Sequence, residues 1–321
     1  MKGYAQLTVG QRYHMYGLVQ KGATKTEIAH ALGVHKSTIC RELKRNKGQR
    51  GWRPNQADTL AKSRKTKNSN AVRFDAWHWW IIELFVELYY SPEQIAGRLK
   101  LDKAFHICPE TIYCYIYKDK QKGGELWKYL RCQKKRKKRY GSGNEHRGEL
   151  KNRVSIDERP EEVNLRTTVG HWEGDTVIGK NHKGVIVTVV ERNTRYTEVV
   201  KVESKDSELV KNAINTRMEP HQGKVLTITF DNGKEFAKHE EIASDLGVIV
   251  YFAHPYSSWE RGSNENTNGL LRQFIPKGSS FTNLTNKEVQ RVMNLLNNRP
   301  RKVLGYRTPY EVFFGQEERY V

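Results

Sequence analysis

The sequence lacks three features that would each point to a particular class of protein. It contains no run of about 18 apolar residues, so we expect no transmembrane helix. Its first ten residues contain no apolar signal core, so export is not expected. Its four cysteines, Cys40, Cys108, Cys114 and Cys132, include no C-x2-C pair, so we expect reduced thiols and no structural zinc. These absences favour a cytoplasmic globular protein.

Acidic residues are scarce in the first half of the chain. Residues 1–150 contain 31 lysine and arginine residues against 13 aspartate and glutamate residues, whereas residues 151–321 contain 25 against 23. The net charge of +20 therefore lies almost entirely in the first half. A merely soluble surface needs far less imbalance. Because a polycationic region suits a polyanion, we expect the first half to bind nucleic acid.

Residues 1–50 have the pattern of a helix-turn-helix DNA-binding domain. Thr24 and Glu27 form a capping box at the start of a helix, and Gly33 follows where a tight turn is needed. An ordinary helical hairpin would share this pattern, but the surrounding positive charge favours DNA binding. The second helix, predicted at 37–45, would carry the residues that contact bases and phosphates on its outer face. These residues are His35, Lys36, Ser37, Thr38, Arg41 and Glu42.

Residues 51–130 predict a second helical domain that resembles the first. Ser91 followed by Pro92 favours a helix start, and the apolar spacing that follows matches the spacing after Thr24. The turn before the next helix, at Pro109, is longer, so we describe this domain as helix-turn-helix-like. A preceding aromatic-rich segment is predicted to form a buried helix. Its large side chains are Trp77, Trp79, Trp80, Phe85 and Leu88.

Residues 131–165 are predicted to link the two helical domains to the rest of the chain. They contain the run KKRKKR at 134–139, followed by a Gly/Ser stretch at 140–143. The basic run could contact phosphates or could be a solvated tether.

Residues 166–321 alternate between strand and helix patterns and predict an α/β domain. A first strand pattern and two β-branched segments predict a meander of three strands, and two later strands are each followed by a helix. Hairpin-linked strands followed by right-handed crossovers give a mixed sheet covered by helices. The expected fold is therefore multidomain, with an all-α N-terminal region and an α/β domain at 166–321. The predicted strands lie within 171–179, 184–193, 195–202, 225–230 and 248–253.

Three acidic residues occupy positions that suit a metal site. Asp175 lies in the first strand, Asp231 directly follows the strand at 225–230, and Glu265 lies in the helix after the last strand. Such sheets place their sites at the carboxyl ends of strands. Converging carboxylates repel one another, and divalent cations such as Mg²⁺ relieve that repulsion. Two such ions could clamp the attacking and leaving oxygens of a phosphoryl transfer.

Each of these acidic residues also has a plainer interpretation. Asp231 with Asn232 and Gly233 is a turn signal, Asp175 could bridge locally, and Glu265 could be an exposed helix residue. The ordered trio behind a DNA-binding half favours the catalytic interpretation.

Neighbouring residues are candidates for substrate contacts. Asn268 and Arg272 lie three and seven positions after Glu265, so they share its helix face. Arg272 either binds a phosphate near the scissile bond or is a surface charge. Glu173 lies on the same strand face as Asp175, and it could support the metal or line the sheet. His254 could reach the substrate, although a structural role is favoured.

The segment RGSNENTNGLLRQFIPK (261–277), which ends at Lys277, resembles the signature helix of a known family. That family is the DDE transposases of bacterial insertion sequences, in particular the insertion-sequence-thirty family. Asp231 and Glu265 are separated by 33 residues, as in that family. The motifs HWEGD, FDNGKEF and NNRPR also resemble it, and the similarity covers nearly the whole chain.

The resemblance implies a ribonuclease-H-like, integrase-type catalytic domain in which Asp175, Asp231 and Glu265 bind two Mg²⁺ or Mn²⁺ ions. It also implies a transposase that binds terminal inverted repeats and catalyses strand cleavage and strand transfer, with Asn268, Arg272 and Lys277 near the DNA. Pairing of two element ends suggests a homodimer or a larger complex on DNA. The rival hypotheses are a repressor with a sensor domain and a nuclease of the same fold that cuts DNA without joining it.

Overall fold

The computed structural model describes residues 6–49, 51–69, 74–131, 152–255 and 257–315. The chain divides into two compact units, Met1–Trp77 and His78–Val321. The predicted domain boundaries near 50, 130 and 165 stay predictions, and the basic run at 134–139 lies outside the described residues. In the part that is described, no helix is long and apolar enough to cross a membrane. Cys40, Cys108 and Cys114 are free thiols, and Cys132 is not among the described residues.

The first unit contains the predicted helix-turn-helix. Thr24 caps α2 by accepting a hydrogen bond from the backbone of Glu27, as the capping box predicts. Gly33 in the turn has a φ of +62°, which glycine adopts without steric cost. Ile28 and Ile39 are buried between the helices. The helices of this unit are α1 (Val9–Gln20), α2 (Lys25–Ala31), α3 (Lys36–Arg45) and α4 (Pro54–Ser69).

Three helices lead into the second unit: α5 (Ala76–Glu87), α6 (Pro92–Leu101) and α7 (Pro109–Gln121). They pack on the region that follows them. Arg98 of α6 forms a buried ion pair with Glu311, with 2.6 Å between its Nη1 and the Oε1 of the glutamate. The hydroxyl of Tyr90 donates a hydrogen bond of 2.6 Å to the carbonyl of Asn298. These helices therefore belong to the same compact unit as the sheet.

The aromatic-rich helix α5 is only partly buried. Its buried residues are Ile82 and Val86, whereas Trp77, Trp80 and Leu88 are 55%, 57% and 43% exposed. The prediction of a buried helix is therefore wrong. Packing one apolar face suffices to hold a helix, and aromatic content does not tell which face that is.

The sheet of the second unit is mixed, as predicted. Its order is β1-β6-β5-β2-β3-β4, in which β2, β3 and β4 form an antiparallel meander. The strands β5, β6 and β1 continue the sheet in parallel from the other side of β2. The strands are β1 (Val154–Ser155), β2 (His171–Ile178), β3 (Val185–Glu191), β4 (Thr197–Val202), β5 (Thr227–Phe230) and β6 (Ile249–Phe252).

Helices cover both faces of this sheet, so β3 is buried along its whole length. One core layer joins Val187 and Phe230 to Ile214 of α9, and the other joins Ile186 to Leu271 of α11. The helices are α8 (Glu161–Leu165), α9 (Ser207–Met218), α10 (His239–Leu246), α11 (Gly262–Phe274), α12 (Asn286–Asn297) and α13 (Pro309–Phe314).

Candidate active site

Asp175 lies in β2, and Asp231 directly follows β5, its parallel neighbour. The last paired residues of β2 and β5 are Glu173 and Thr229. Each aspartate lies two residues beyond its paired residue, so both lie at the same level of the sheet. Neighbouring strands are about 4.8 Å apart, which brings the two carboxyl groups close together. This is the point where the parallel and antiparallel halves of the sheet meet.

The guanidinium group of Arg261 lies between the two aspartates. Its Nη1 is 3.4 Å from Oδ1 of Asp175, and its Nη2 is 3.5 Å from Oδ2 of Asp231. Arg261 directly precedes α11 and also donates a hydrogen bond of 3.1 Å to the carbonyl of Gly174. One cation thus contacts both carboxylates.

The surroundings of Asp175 disfavour the ionised form of its carboxyl group. Burial raises the pKa of the Asp175 carboxyl above its ordinary value. The charge of Asp231 acts in the same direction, whereas Arg261 acts against it. The pKa of Asp175 stays on the raised side, so the contact with Arg261 does not offset burial. Such a pair favours additional positive charge.

Helix α11 lies beside the two aspartates, but its Glu265 does not form a group of three carboxylates with them. Asn268, one turn after Glu265, donates a hydrogen bond of 2.7 Å to Oδ2 of Asp175. Glu265 itself is exposed. Among the described residues, no group of three or more histidine, cysteine, aspartate or glutamate side chains lies in an arrangement that could hold a metal ion. The structure therefore gathers two of the three predicted carboxylates and places the third on the adjacent helix turn.

Glu173 anchors α11 to the sheet. It is fully buried and forms an ion pair with Arg192, with 3.1 Å between Oε1 and Nε. Its Oε2 accepts a hydrogen bond of 2.9 Å from the backbone N–H of Asn264, in the first turn of α11. The side chain of Asn264 in turn donates to the carbonyl of Glu173 at 2.9 Å. Glu173 thus joins the strand of Asp175 to the helix of Glu265.

Glu235 is a buried carboxylate beside the site that sequence reasoning missed. It accepts hydrogen bonds of 2.6 Å from the hydroxyl of Thr176 and from Nζ of Lys205. Burial alone would raise the pKa of Glu235, but these two bonds bring it below its ordinary value. The sequence offers only one indication of this role, namely that Glu235 lies four residues after Asp231. A glutamate in an ordinary loop could occupy the same position.

The other predicted residues of this unit lie around the site. Arg272 donates a hydrogen bond of 3.4 Å to the carbonyl of Pro276, and burial lowers its pKa. Lys277 is exposed beyond the end of α11. His254 lies between Glu260 and Asp157, with its ring nitrogens 2.8 and 2.9 Å from their carboxylates, and these contacts raise its pKa.

In the first unit, five of the six residues that are predicted to contact DNA have exposed or partly exposed side chains. His35, Lys36 and Arg41 are exposed, and Ser37 and Thr38 are partly exposed.

Glu42 differs from the other five. Its Oε1 is 2.8 Å from Nε of the buried Arg12, which also pairs with Asp58. The placement of Glu42 on the outer face was therefore wrong, because a buried arginine needs acidic partners inside the unit.

Two parts of the chain match known families. Residues 4–46 match the family described as helix-turn-helix domain, and residues 167–258 match the family described as integrase core domain.

Several known proteins are similar over most of the chain. It is 47% identical over 310 residues to the transposase for insertion sequence element IS4351 of Bacteroides fragilis, covering 96% of this chain and 95% of the relative. It is 35% identical over 327 residues to the transposase InsI for insertion sequence element IS30A of Escherichia coli strain K12, covering 97% and 84%. The catalytic core domain of BIV integrase is similar at 22% identity, with a TM-score of 0.37 over 46% of this chain and 95% of that one.

A helix-turn-helix domain joined to an integrase core defines a DDE-type DNA transposase, a polynucleotidyl transferase that cuts and joins DNA strands. The chain is also similar to insertion-sequence transposases over nearly their full length, which identifies the family within this class. The chain belongs to the IS30 family of insertion-sequence transposases.

Proposed function

We propose that this transposase binds the terminal inverted repeats of its own insertion sequence and performs its chemistry at Asp175, Asp231 and Glu265. The observation that supports the proposal is that Asp175 in β2 and Asp231, directly after β5, lie at the same level of the sheet beside the first turns of α11. A repressor with a sensor domain gives no reason for this arrangement. An enzyme of this kind acts on the chromosome, so we expect it at the nucleoid of a bacterial cytoplasm.

We expect Asp175 and Asp231, with Glu265 on the adjacent helix turn, to hold a pair of divalent cations. Asp175 and Asp231 already share one cationic group, and the raised pKa of Asp175 indicates that more positive charge would be favourable. Carboxylate oxygens are the ligands that Mg²⁺ and Mn²⁺ prefer. Asp175 and Asp231 would hold both ions, and Glu265 would complete the coordination of one. When bound, these ions supply charge that stabilises the attacking and leaving oxygens of phosphoryl transfer.

The surrounding residues keep the first aspartate in place. Asn268 holds Oδ2 of Asp175, so that Oδ1 remains directed at the space that Arg261 occupies. Glu173 and Asn264 keep α11 against β2. In the proposed reaction, water attacks a phosphodiester at the element end and releases a 3′ hydroxyl. That hydroxyl then attacks a phosphodiester of a second strand, forms a new phosphodiester bond and displaces the 3′ hydroxyl of the attacked strand, so no covalent bond to the enzyme is needed.

The first unit would recognise the repeats through α3. Its exposed face carries His35, Lys36 and Arg41, with Ser37 and Thr38 beside them. The Nδ1 of His35 accepts a hydrogen bond of 3.2 Å from the backbone of Ser37 and thereby caps the helix. In helix-turn-helix proteins, the N-terminal residues of the recognition helix contact base edges in the major groove. Two element ends must meet, so we expect a homodimer or a larger complex on DNA.

The test is Mg²⁺- or Mn²⁺-dependent cleavage of a duplex that carries the terminal repeats. Glu265→Gln should bind this duplex with unchanged affinity and lose cleavage by at least a hundredfold, because it removes one of the charged metal ligands. Glu240→Gln, at an exposed glutamate of α10, is the matched control and should cleave normally. Full cleavage by Glu265→Gln would remove the proposal. A strand-transfer assay separates this enzyme from a nuclease that only cuts.

A further inference from the structure

Four arginines lie near one another beside α11. Arg299 and Arg301 are only 2% and 8% exposed, Arg195 is half-buried, and Arg131 is exposed. Arg131 lies against the helix at Gly269, where a Cβ atom would be 3.2 Å from its Nη2. We call these four residues the arginine cluster.

The arginine cluster contains buried donors without acceptors. Nε and Nη2 of Arg299 and Nε of Arg301 are buried and have no hydrogen-bond partner. The contacts of these two side chains are to neutral groups: Oε1 of Gln273 at 3.1 Å, the carbonyl of Leu296 at 2.9 Å, and the ring of Phe274, whose centroid is 5.4 Å from the guanidinium of Arg299. Within the described part of the chain, no carboxylate forms an ion pair with Arg131, Arg299 or Arg301. Buried charge without a counter-charge is strongly unfavourable.

Two other buried arginines do have acidic partners: Arg12 pairs with Glu42 and Asp58, and Arg98 pairs with Glu311. Arg159, in contrast, is buried, donates to the neutral side chains of Thr229 and Asn164, and keeps a free Nε. The arginine cluster differs from Arg159 because several such side chains lie near one another, and a bound anion would explain that arrangement.

The members of the cluster also repel one another. Burial, followed by the charges of Arg299, Arg131 and Arg195, lowers the pKa of Arg301 to about 9. Burial and the charge of Arg131 lower the pKa of Arg299 to about 10. An anion bound at the exposed Arg131 would relieve this repulsion. Guanidinium groups bind phosphate oxygens with paired, charge-assisted hydrogen bonds.

We propose that the arginine cluster binds a backbone phosphate of the DNA beside the bond that is cut. Glu265, Gly269 and Gln273 follow one another at intervals of four residues and form one line along α11. Arg131 lies at the second of these positions and Arg299 at the third. The phosphate would therefore lie about 6–12 Å, one to two helix turns, beyond the level of Glu265 along α11.

This inference rests on the proposed function for the place of the scissile bond, although binding can be measured without cleavage. A purely structural role is the rival explanation, because Arg301 contacts a carbonyl near the C-terminus of α12, where cations are favourable. That role accounts for one nitrogen of Arg301, and the contact of Arg299 with the ring of Phe274 is structural as well. Neither contact supplies an acceptor for the free donors of Arg299, and neither explains the approach of Arg131.

The test compares Arg131→Gln with Arg291→Gln, an exposed arginine on α12 of the same unit. Binding of the full chain to a short duplex, without divalent metal, is measured over a series of salt concentrations. Arg131→Gln should weaken binding about tenfold and reduce the slope of log K against log salt by about 0.9, the value for one lost phosphate contact. Arg291→Gln should leave both quantities as in the parent.

Thermal unfolding distinguishes a ligand site from a structural one. In anion-free buffer Arg131→Gln should raise Tm, because it removes a charge that repels Arg299 and Arg301, and a structural arginine would lower Tm. Inorganic phosphate should raise the Tm of the parent and of Arg291→Gln more than that of Arg131→Gln.

Two results would overturn the inference: an unchanged salt slope in Arg131→Gln, or a phosphate effect on Tm that does not depend on Arg131. A phosphate effect with an unchanged DNA slope would mean that the cluster takes free phosphate and not DNA. If Glu265→Gln cleaves normally while Arg131→Gln loses its slope, the catalytic proposal fails and the phosphate site stands.

Discussion

Asp175 is held at its two carboxylate oxygens by different partners. Oδ2 accepts a hydrogen bond from Asn268, and Oδ1 lies 3.4 Å from the guanidinium of Arg261. These contacts do not offset burial, and the pKa of Asp175 stays above its ordinary value. An ionised Asp175 is therefore a destabilising group whenever no further cation is bound.

Asp175→Asn should raise the free energy of unfolding at pH 7 in metal-free buffer. Because the folded-state pKa lies above the unfolded one, the parent loses stability as the pH rises from the ordinary carboxyl value through the folded value. The advantage of the variant should be constant above that window and should shrink as the pH falls through it. Urea unfolding over a pH series measures this, with the exposed Asp245→Asn as control.

Added Mg²⁺ should stabilise the parent and not the Asp175→Asn variant. A variant less stable than the parent at pH 7, or a difference that does not change with pH, would contradict this account of the site.

Helix α11 is the element on which the candidate site depends. A buried carboxylate on β2, that of Glu173, receives the backbone N–H of Asn264 at the start of this helix and pairs with Arg192. The helix start is thus attached to the same strand that carries Asp175. Its position relative to the aspartates is set by hydrogen bonds and not by apolar packing alone.

Glu173→Gln should lower the free energy of unfolding by about 3–5 kcal/mol, because Arg192 is left buried without its counter-charge. Chemical denaturation of the variant and of Glu240→Gln measures the effect, and the exposed control should change by less than about 0.5 kcal/mol. Equal stability of Glu173→Gln and the parent would show that the ion pair does not hold the helix.

At the scale of the whole molecule, local patterns suffice for much of the fold and of the site. Capping residues predict the starts of α2 and α6, and β-branched runs predict β2 to β6. Asp175 and Asp231 could be located because they lie on or next to such strands. The strand β1 was not predicted, since two residues form too short a pattern.

Features that depend on contacts between distant residues were not predictable from these patterns. Arg98 and Glu311 are 213 positions apart in the chain, and no local signal joins them. The arginine cluster combines residues from three separate segments for the same reason. Glu42 turns inward because Arg12 lies below it, and the period of a helix does not reveal such a partner.

The central claim is that Asp175, Asp231 and Glu265 bind divalent cations together. Crystals of the full chain grown with Mn²⁺ test it directly through anomalous scattering, which locates manganese independently of any assumed position. The account predicts manganese peaks in contact with all three carboxylates and the guanidinium of Arg261 displaced from between the aspartates. Arg261 unmoved at saturating Mn²⁺, with no anomalous peak near either aspartate, would contradict it.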